Sequence, residues 1–199
     1  MSSVCFYFQV HQPYRLRRYS VFATDPFYFD NEANEAICRK VADKCYRPTT
    51  AKILDLVRRH EGRFRVSYSI SGVCIEQMRM WAPDVIDMFK ALAQTGACEF
   101  INETTHHSLS FLFSKAEFDE QVANHENLIR ETFGVTPTVF RNTELIYSNE
   151  SSPRTWRGRA STARSSARAS TACSAIARRT TCTCRRASTA SPTTSRSGR

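Results

Sequence analysis

Residues 4–10 read VCFYFQV and run directly into His11-Gln12-Pro13. Seven uncharged residues rich in aromatic and β-branched side chains have the length and composition of a buried strand. Pro13 fixes the way the chain leaves that strand, because its ring sets φ and removes a ladder donor. His11 and Gln12 are left at the strand's C-terminal end, where they offer hydrogen-bonding groups to a hydroxyl-rich ligand.

The same arrangement recurs three times. Residues 64–70 (FRVSYSI) alternate apolar and polar side chains and lead into Ser71-Gly72. Residues 98–101 (CEFI) are a short apolar strand followed by Asn102-Glu103-Thr104-Thr105-His106-His107. Residues 138–140 are a fourth strand, followed by Arg141-Asn142-Thr143-Glu144. Helical patterns fill the intervals. Residues 31–46 and 49–60 read as two helices, the second with Ile53, Leu54, Leu56 and Val57 on its apolar face and Gly62 as its stop. Residues 83–94 place Val85, Ile86, Phe89, Leu92 and Ala93 on one side, and residues 115–133 do the same with Phe118, Val122, Leu128 and Ile129. Strands alternating with helices predict an α/β fold with a parallel sheet and helical crossovers. In a β/α barrel the residues after each strand lie at the C-terminal mouth, where active sites are built. Four polar clusters after four strands would converge there.

Each cluster has a functional and a structural reading. A carboxylate at Glu144, directly after a strand and close to Arg141 and Asn142, suits a nucleophile kept ionised by positive charge and amide donors. Its plain alternative is a solvated loop glutamate. His11 is either a ligand-binding group or a structural histidine. Glu103, His106 and His107 could bind a metal, but three ligands on one short loop rarely arrange well, which favours sugar binding or loop packing. Glu76 and Gln77 stand one turn after Ser71-Gly72, as ligand contacts or as exposed polar residues of a helix start.

Charge divides the chain. All 19 acidic residues lie in residues 1–150, against 17 Lys+Arg, so this part carries −2. Residues 151–199 hold 11 Arg and no Lys, Asp or Glu, a net of +11. The overall pI of 9.4 therefore averages a near-neutral domain with a basic tail. It does not indicate a nucleic-acid-binding body. Five of the eight cysteines (Cys5, Cys38, Cys45, Cys74, Cys98) lie in residues 1–150 without C-x-x-C spacing, which favours reduced thiols and a cytoplasmic protein. No signal peptide and no apolar run of membrane-spanning length is visible.

The segments FYFQVHQPYRLRRY, YFD at residues 28–30, KVADKCYRP, SISGVCIEQ, ETTHHS and VFRNTELIY occur in this order between residues 4 and 147. Together they resemble glycoside hydrolase family 57, in its α-amylase-like branch. The resemblance implies an incomplete, seven-stranded type β/α barrel, of which residues 1–150 supply about the first four strands. It implies retaining cleavage or transfer on α-1,4-glucans such as starch, glycogen or maltooligosaccharides, with no cofactor. The family's nucleophile falls on Glu144. Its reactive-subsite histidine falls on His11. Gln12, Glu76, Glu103, His107, Arg141 and Asn142 fall in regions that line the cleft. The usual form of the third loop has tyrosines where this chain has Thr105 and His106. Retaining chemistry needs a second carboxyl group ~5–5.5 Å from the nucleophile as acid/base. In this family it is an Asp on a later strand, so this chain is expected to be inactive.

Other readings belong to different classes. One is a 4-α-glucanotransferase or branching enzyme of the same family. Another is a metal-dependent polysaccharide deacetylase using His106 and His107, and a third a nucleic-acid binder acting through the tail. Ser, Thr, Ala and Arg make up 40 of the 49 tail residues, a composition that cannot bury a core and predicts disorder. The same composition arises when GC-rich coding DNA is read out of frame. Shifting each codon one base upstream permits G-F-D-G-A-I-L-C-E-G-V-D-R-L-L-S-D-R-A-P-N-H-L-Y from Ala160 onward. That reading restores apolar runs and acidic residues. A one-base frameshift near residue 150 is therefore expected, and with it a tail that binds no specific nucleic acid.

Overall fold

The strand expected at the N-terminus forms over Phe6–Val10 (β1) in the computed structural model, which describes residues 6–20, 22 and 24–146. It pairs in parallel with Val66–Ile70 (β2), and β2 pairs in parallel with Cys98–Ile101 (β3). The sheet order is therefore β1-β2-β3, with helices making each crossover, as the alternating pattern predicts. All five residues of β2 are buried, because it is flanked by a strand on each side.

One face of the sheet holds the core. Val10, Tyr68, Ile70 and Phe100 pack against apolar side chains of Arg47–Arg59 (α2), Pro83–Gln94 (α4) and Lys115–Phe133 (α5). Phe100 stacks on Phe133 at 4.5 Å, and Tyr68 meets the edge of Phe89 at 5.3 Å. Phe89 is 1% exposed, and burial of such a side chain stabilises by about 1.5–3 kcal/mol. The strand period of two turns Tyr7, Gln9, Ser67, Ser69, Glu99 and Ile101 to the opposite face. That face is largely polar, so it has a different purpose from packing.

Sequence signals set the helix ends. Asp30 accepts from Ala33 N at 3.0 Å and caps Asn31–Val41 (α1). Ser114 accepts from Glu117 N at 3.3 Å to start α5, and Gly134 closes it at φ 72°. Two departures from expectation have physical causes. Residues 31–59 do not break into two separate helices; a π-helical turn over Ala42–Tyr46 joins α1 to α2. Pro48 has no N–H for an α-helical bond, and the wide turn just before it absorbs that loss. The fourth strand expected at residues 138–140 makes one parallel bridge, Asn102↔Phe140, instead of a ladder. Its two bonds to β3's end are Asn102 N to Val139 O, 2.8 Å, and Arg141 N to Asn102 O, 2.9 Å. Pro137 removes a donor, and no described strand lies on its outer side. The charge seam at residue 150, the predicted disorder of the tail and the shifted frame all fall outside the described residues.

The helix Gly72–Trp81 (α3) starts hard against the loop after β3. A Cβ on Gly72 would lie 2.5 Å from Thr105 Cγ2 and 2.8 Å from Thr105 O. The second contact is with backbone, which cannot swing aside. Gly72→Ala is expected to lower the urea-unfolding midpoint by the equivalent of about 1–3 kcal/mol. An unchanged midpoint would show that the two loops are not in this contact.

Candidate active site

The C-terminal ends of β1, β2 and β3 and the segment after residue 140 bring five of the predicted residues together. These are His11, Glu103, His107, Arg141 and Glu144. Glu103 is at the centre, with no exposed surface. His107 Nδ1 lies 2.9 Å from Glu103 Oε2, and Arg141 Nη1 lies 3.7 Å from the same oxygen. The His11 ring stacks on the His107 ring at 4.2 Å, and its Nδ1 bonds Ser71 Oγ at 2.7 Å. His107 Nε2 lies 3.6 Å from Glu144 Oε1. Glu144 is largely exposed, with a side chain 68% accessible, so it faces the open side of the cluster.

Arg141 differs from its expected role. Its guanidinium turns to Glu103 and to Gln9 Oε1, 3.1 Å away, and not to Glu144. A buried carboxylate attracts a cation more strongly than a solvated one. Asn142 shapes the turn: its side chain accepts from Thr143 N at 3.0 Å and donates to Ile146 O at 2.7 Å. This holds the 3-10 turn Thr143–Leu145, in which Glu144 adopts φ 56° and ψ 19°. His107 also has a positive φ, 54°. A non-glycine residue in this region costs about 1 kcal/mol or more, and such strain persists only where surrounding bonds enforce it.

Gln12 and Glu76 form a neighbouring group. Gln77 donates to Gln12 O at 2.8 Å, Arg15 to Gln12 Oε1 at 3.2 Å, and Tyr14 to Glu76 Oε2 at 3.4 Å. Burial, followed by the Glu76 charge, pushes the Tyr14 hydroxyl up to about 12, so it remains a donor. His106 is exposed, while the His107 side chain is 9% accessible and turned inward. Among the described residues no three His, Cys, Asp or Glu side chains are grouped to hold a metal ion.

Sequence reasoning missed several groups. Gln9 is two residues before His11 on the same strand face, a period-two signal that could have found it. Ser69 follows the same rule on β2, two residues before Ser71. His125 gave no signal, being one polar residue in a long helix. It is fully buried, donates from Nε2 to Ile70 O at 2.8 Å, and lies 2.6 Å through Nδ1 from Asn102 Oδ1. Asn102 in turn donates to Val122 O at 3.1 Å. This network fastens the ends of β2 and β3 to α5.

Burial alone would raise the Glu103 carboxyl. The His107 hydrogen bond, the neighbouring His125 and His107 rings and the Ser69 hydroxyl outweigh it and hold the group below its ordinary 4.5. Burial lowers His11 below 6.5, and the neighbouring His107 lowers it further, against the opposing charges of Glu103 and Glu144.

Residues 5–166 match Glycosyl hydrolase family 57. A Methanocaldococcus jannaschii protein named "Putative alpha-amylase" is 43% identical over 150 residues, which cover 73% of this chain and 32% of that protein. The chain thus spans about a third of that relative's length. In fold it is similar to the 4-alpha-glucanotransferase of Thermococcus litoralis, with a TM-score of 0.55 at 18% identity over 73% of this chain and 19% of the other. The strand ends of this parallel α/β sheet gather carboxylates and imidazoles into one cluster, and the match gives the class of the chain. The chain belongs to glycosyl hydrolase family 57.

The lowered groups set the acid response. With His11 lowered, the unfolded chain takes up its proton first. The stability His11 contributes is present above pH 6.5 and lost as pH falls through its folded value. Glu103 acts in the same sense, with its contribution present above 4.5 and lost at lower pH. Urea midpoints are expected to fall in two stages on acidification. Burial lowers the fully buried His125 in the same way, so His11→Asn should shrink the upper stage and leave the part that His125 contributes; a pH profile unaltered by that change would contradict the assignment.

Proposed function

We propose that this chain carries the nucleophile side of a retaining α-glucan-active site, within an incomplete β/α barrel of the seven-stranded type. Glu144 is the nucleophile. The observation that carries this reading is its placement: a strained, exposed carboxylate on a pinned turn, 3.6 Å from an imidazole that is itself anchored to a buried glutamate. A nucleophile must reach the anomeric carbon, and an exposed carboxylate at the strand mouth can do so. The turn fixes its direction of attack, which reduces the entropy lost at the reactive geometry.

His11 and His107 present stacked imidazole edges beside Glu144, suited to the hydroxyl groups of the glucose ring under attack. Gln12, Glu76, Arg141 and Asn142 line or shape the same cleft, and the ligand is an α-1,4-glucan chain. Glu103 does not suit the acid/base role, because an acid must hold its proton near neutral pH and this carboxyl is held ionised. We place the acid/base on a later strand of the barrel, beyond the described residues. Hydrolysis and transfer share the step at Glu144 and differ only in whether water or a sugar hydroxyl takes the glycosyl group. Of these we favour hydrolysis of the α-amylase type, because the relative matched at 43% bears that name.

The reading-frame shift near residue 150 belongs to the same proposal. The chain of 199 residues is expected to turn over maltooligosaccharide at least about 10²–10⁴-fold more slowly than protein made after restoring one base there, since acid/base assistance alone supplies that factor. In the restored protein Glu144→Gln should abolish turnover while leaving maltooligosaccharide binding in place. Comparable rates from the two wild-type chains would contradict the frame assignment. Full turnover in Glu144→Gln would contradict the nucleophile.

A further inference from the structure

The Gln9 amide can be oriented from its partners. Arg141 is always a donor, and its Nη2 lies 3.1 Å from Gln9 Oε1. The carbonyl end of Gln9 therefore faces Arg141, and its NH₂ end faces His107 Nε2 at 3.2 Å. An amide NH₂ can only donate, so His107 Nε2 must accept and carries a lone pair. The ring proton is then on Nδ1, which donates to Glu103 Oε2 at 2.9 Å. Arg141 Nη1 lies 3.7 Å from that oxygen and closes a ring of four side chains. Within it, one cation and one anion balance around a neutral imidazole.

We propose that Gln9, locked by Arg141, is a positioning residue that holds His107 in the neutral Nδ1–H form beside Glu144. The inference rests on the reading of Glu144 as nucleophile. Its chemical sense follows from the reaction. A retaining glycosidase passes through an oxocarbenium-like transition state with positive charge on the sugar. An imidazolium at His107 would oppose that charge. It would also ion-pair with the Glu144 carboxylate, 3.6 Å away, and weaken it as a nucleophile. The stacked His11 ring, 4.2 Å off and itself biased to the neutral form by burial, adds no cation to this face. The charged and titratable groups that face His107 are thus Glu103, Arg141, Glu144 and His11. Gln9 decides among them because its NH₂, 3.2 Å from Nε2, is nearer than the Glu144 carboxylate at 3.6 Å.

Long-range proton–nitrogen correlation NMR on the ¹⁵N-labelled chain of 199 residues reads the ring state directly, with His107 assigned by its loss in His107→Asn. At pH 7 the wild type should show Nε2 without a proton and Nδ1 protonated. Gln9→Glu replaces the donor with an acceptor and should bring a second proton onto the ring. Gln9→Leu removes the donor without adding an acceptor and should give a mixture of the two tautomers. A wild-type ring protonated at Nε2 overturns the proposal, as does one whose state is unaltered in both variants. If either variant fails to fold, the wild-type spectrum still decides. Failure of the nucleophile assignment would appear separately, as turnover in Glu144→Gln, and would leave these spectra unchanged.

Discussion

A carboxylate with no exposed surface must be compensated, and Glu103 is such a group. The site is organised around that requirement. His107 donates to it, Arg141 stands beside it, Ser69 faces it from β2, and His125 of α5 accepts from Glu103 N at 3.4 Å. These partners come from β2, the loop after β3, the segment after residue 140 and α5. Removing one side of a buried ion pair typically costs about 3–5 kcal/mol, because the other charge is left in low dielectric. The partners of Glu103 thus tie the ends of β2 and β3 to the segment after residue 140 and to α5.

That anchoring explains how the site can hold strained backbone. His107 and Glu144 both have positive φ, and both are tied to the Glu103 group. The loop that carries Glu103 and His107 is pressed against the start of α3 at Gly72, where no Cβ fits. Asn102 joins it to residues 139 and 141 on one side, and to His125 of α5 on the other. Sequence therefore acts twice in the same stretch. CEFI supplies the strand, and the polar run after it supplies the charge that fixes the mouth of the sheet.

Periodicity made the regular elements legible. The limits of α4, β3 and α5 coincide with their apolar patterns, since each buries one stripe or one face, with Pro83 starting α4 and Gly134 closing α5. Local pattern failed where a partner decides the outcome. The pattern over residues 31–46 and 49–60 predicts two helices, yet a π turn joins one to the other. Residues 138–140 have strand composition but make a single bridge. The clusters after the strands were visible as polar runs, and their meeting follows from parallel topology. Which atom meets which did not follow. Arg141 was read as the companion of Glu144 and instead serves Glu103 and Gln9, because the buried charge competes better for it. The place of His125 is set by tertiary neighbours alone.

Covalent trapping at the nucleophile tests the account most directly. A fluorine-substituted α-maltosyl fluoride has a leaving group that needs no protonation, so its capture depends on the attacking carboxylate. The protein with the restored frame would be quenched with this reagent, digested and mapped by mass spectrometry. The account predicts the glycosyl adduct on the peptide containing Glu144 and its loss in Glu144→Gln. An adduct on Glu103 or Glu76, with Glu144 unmodified, would contradict it.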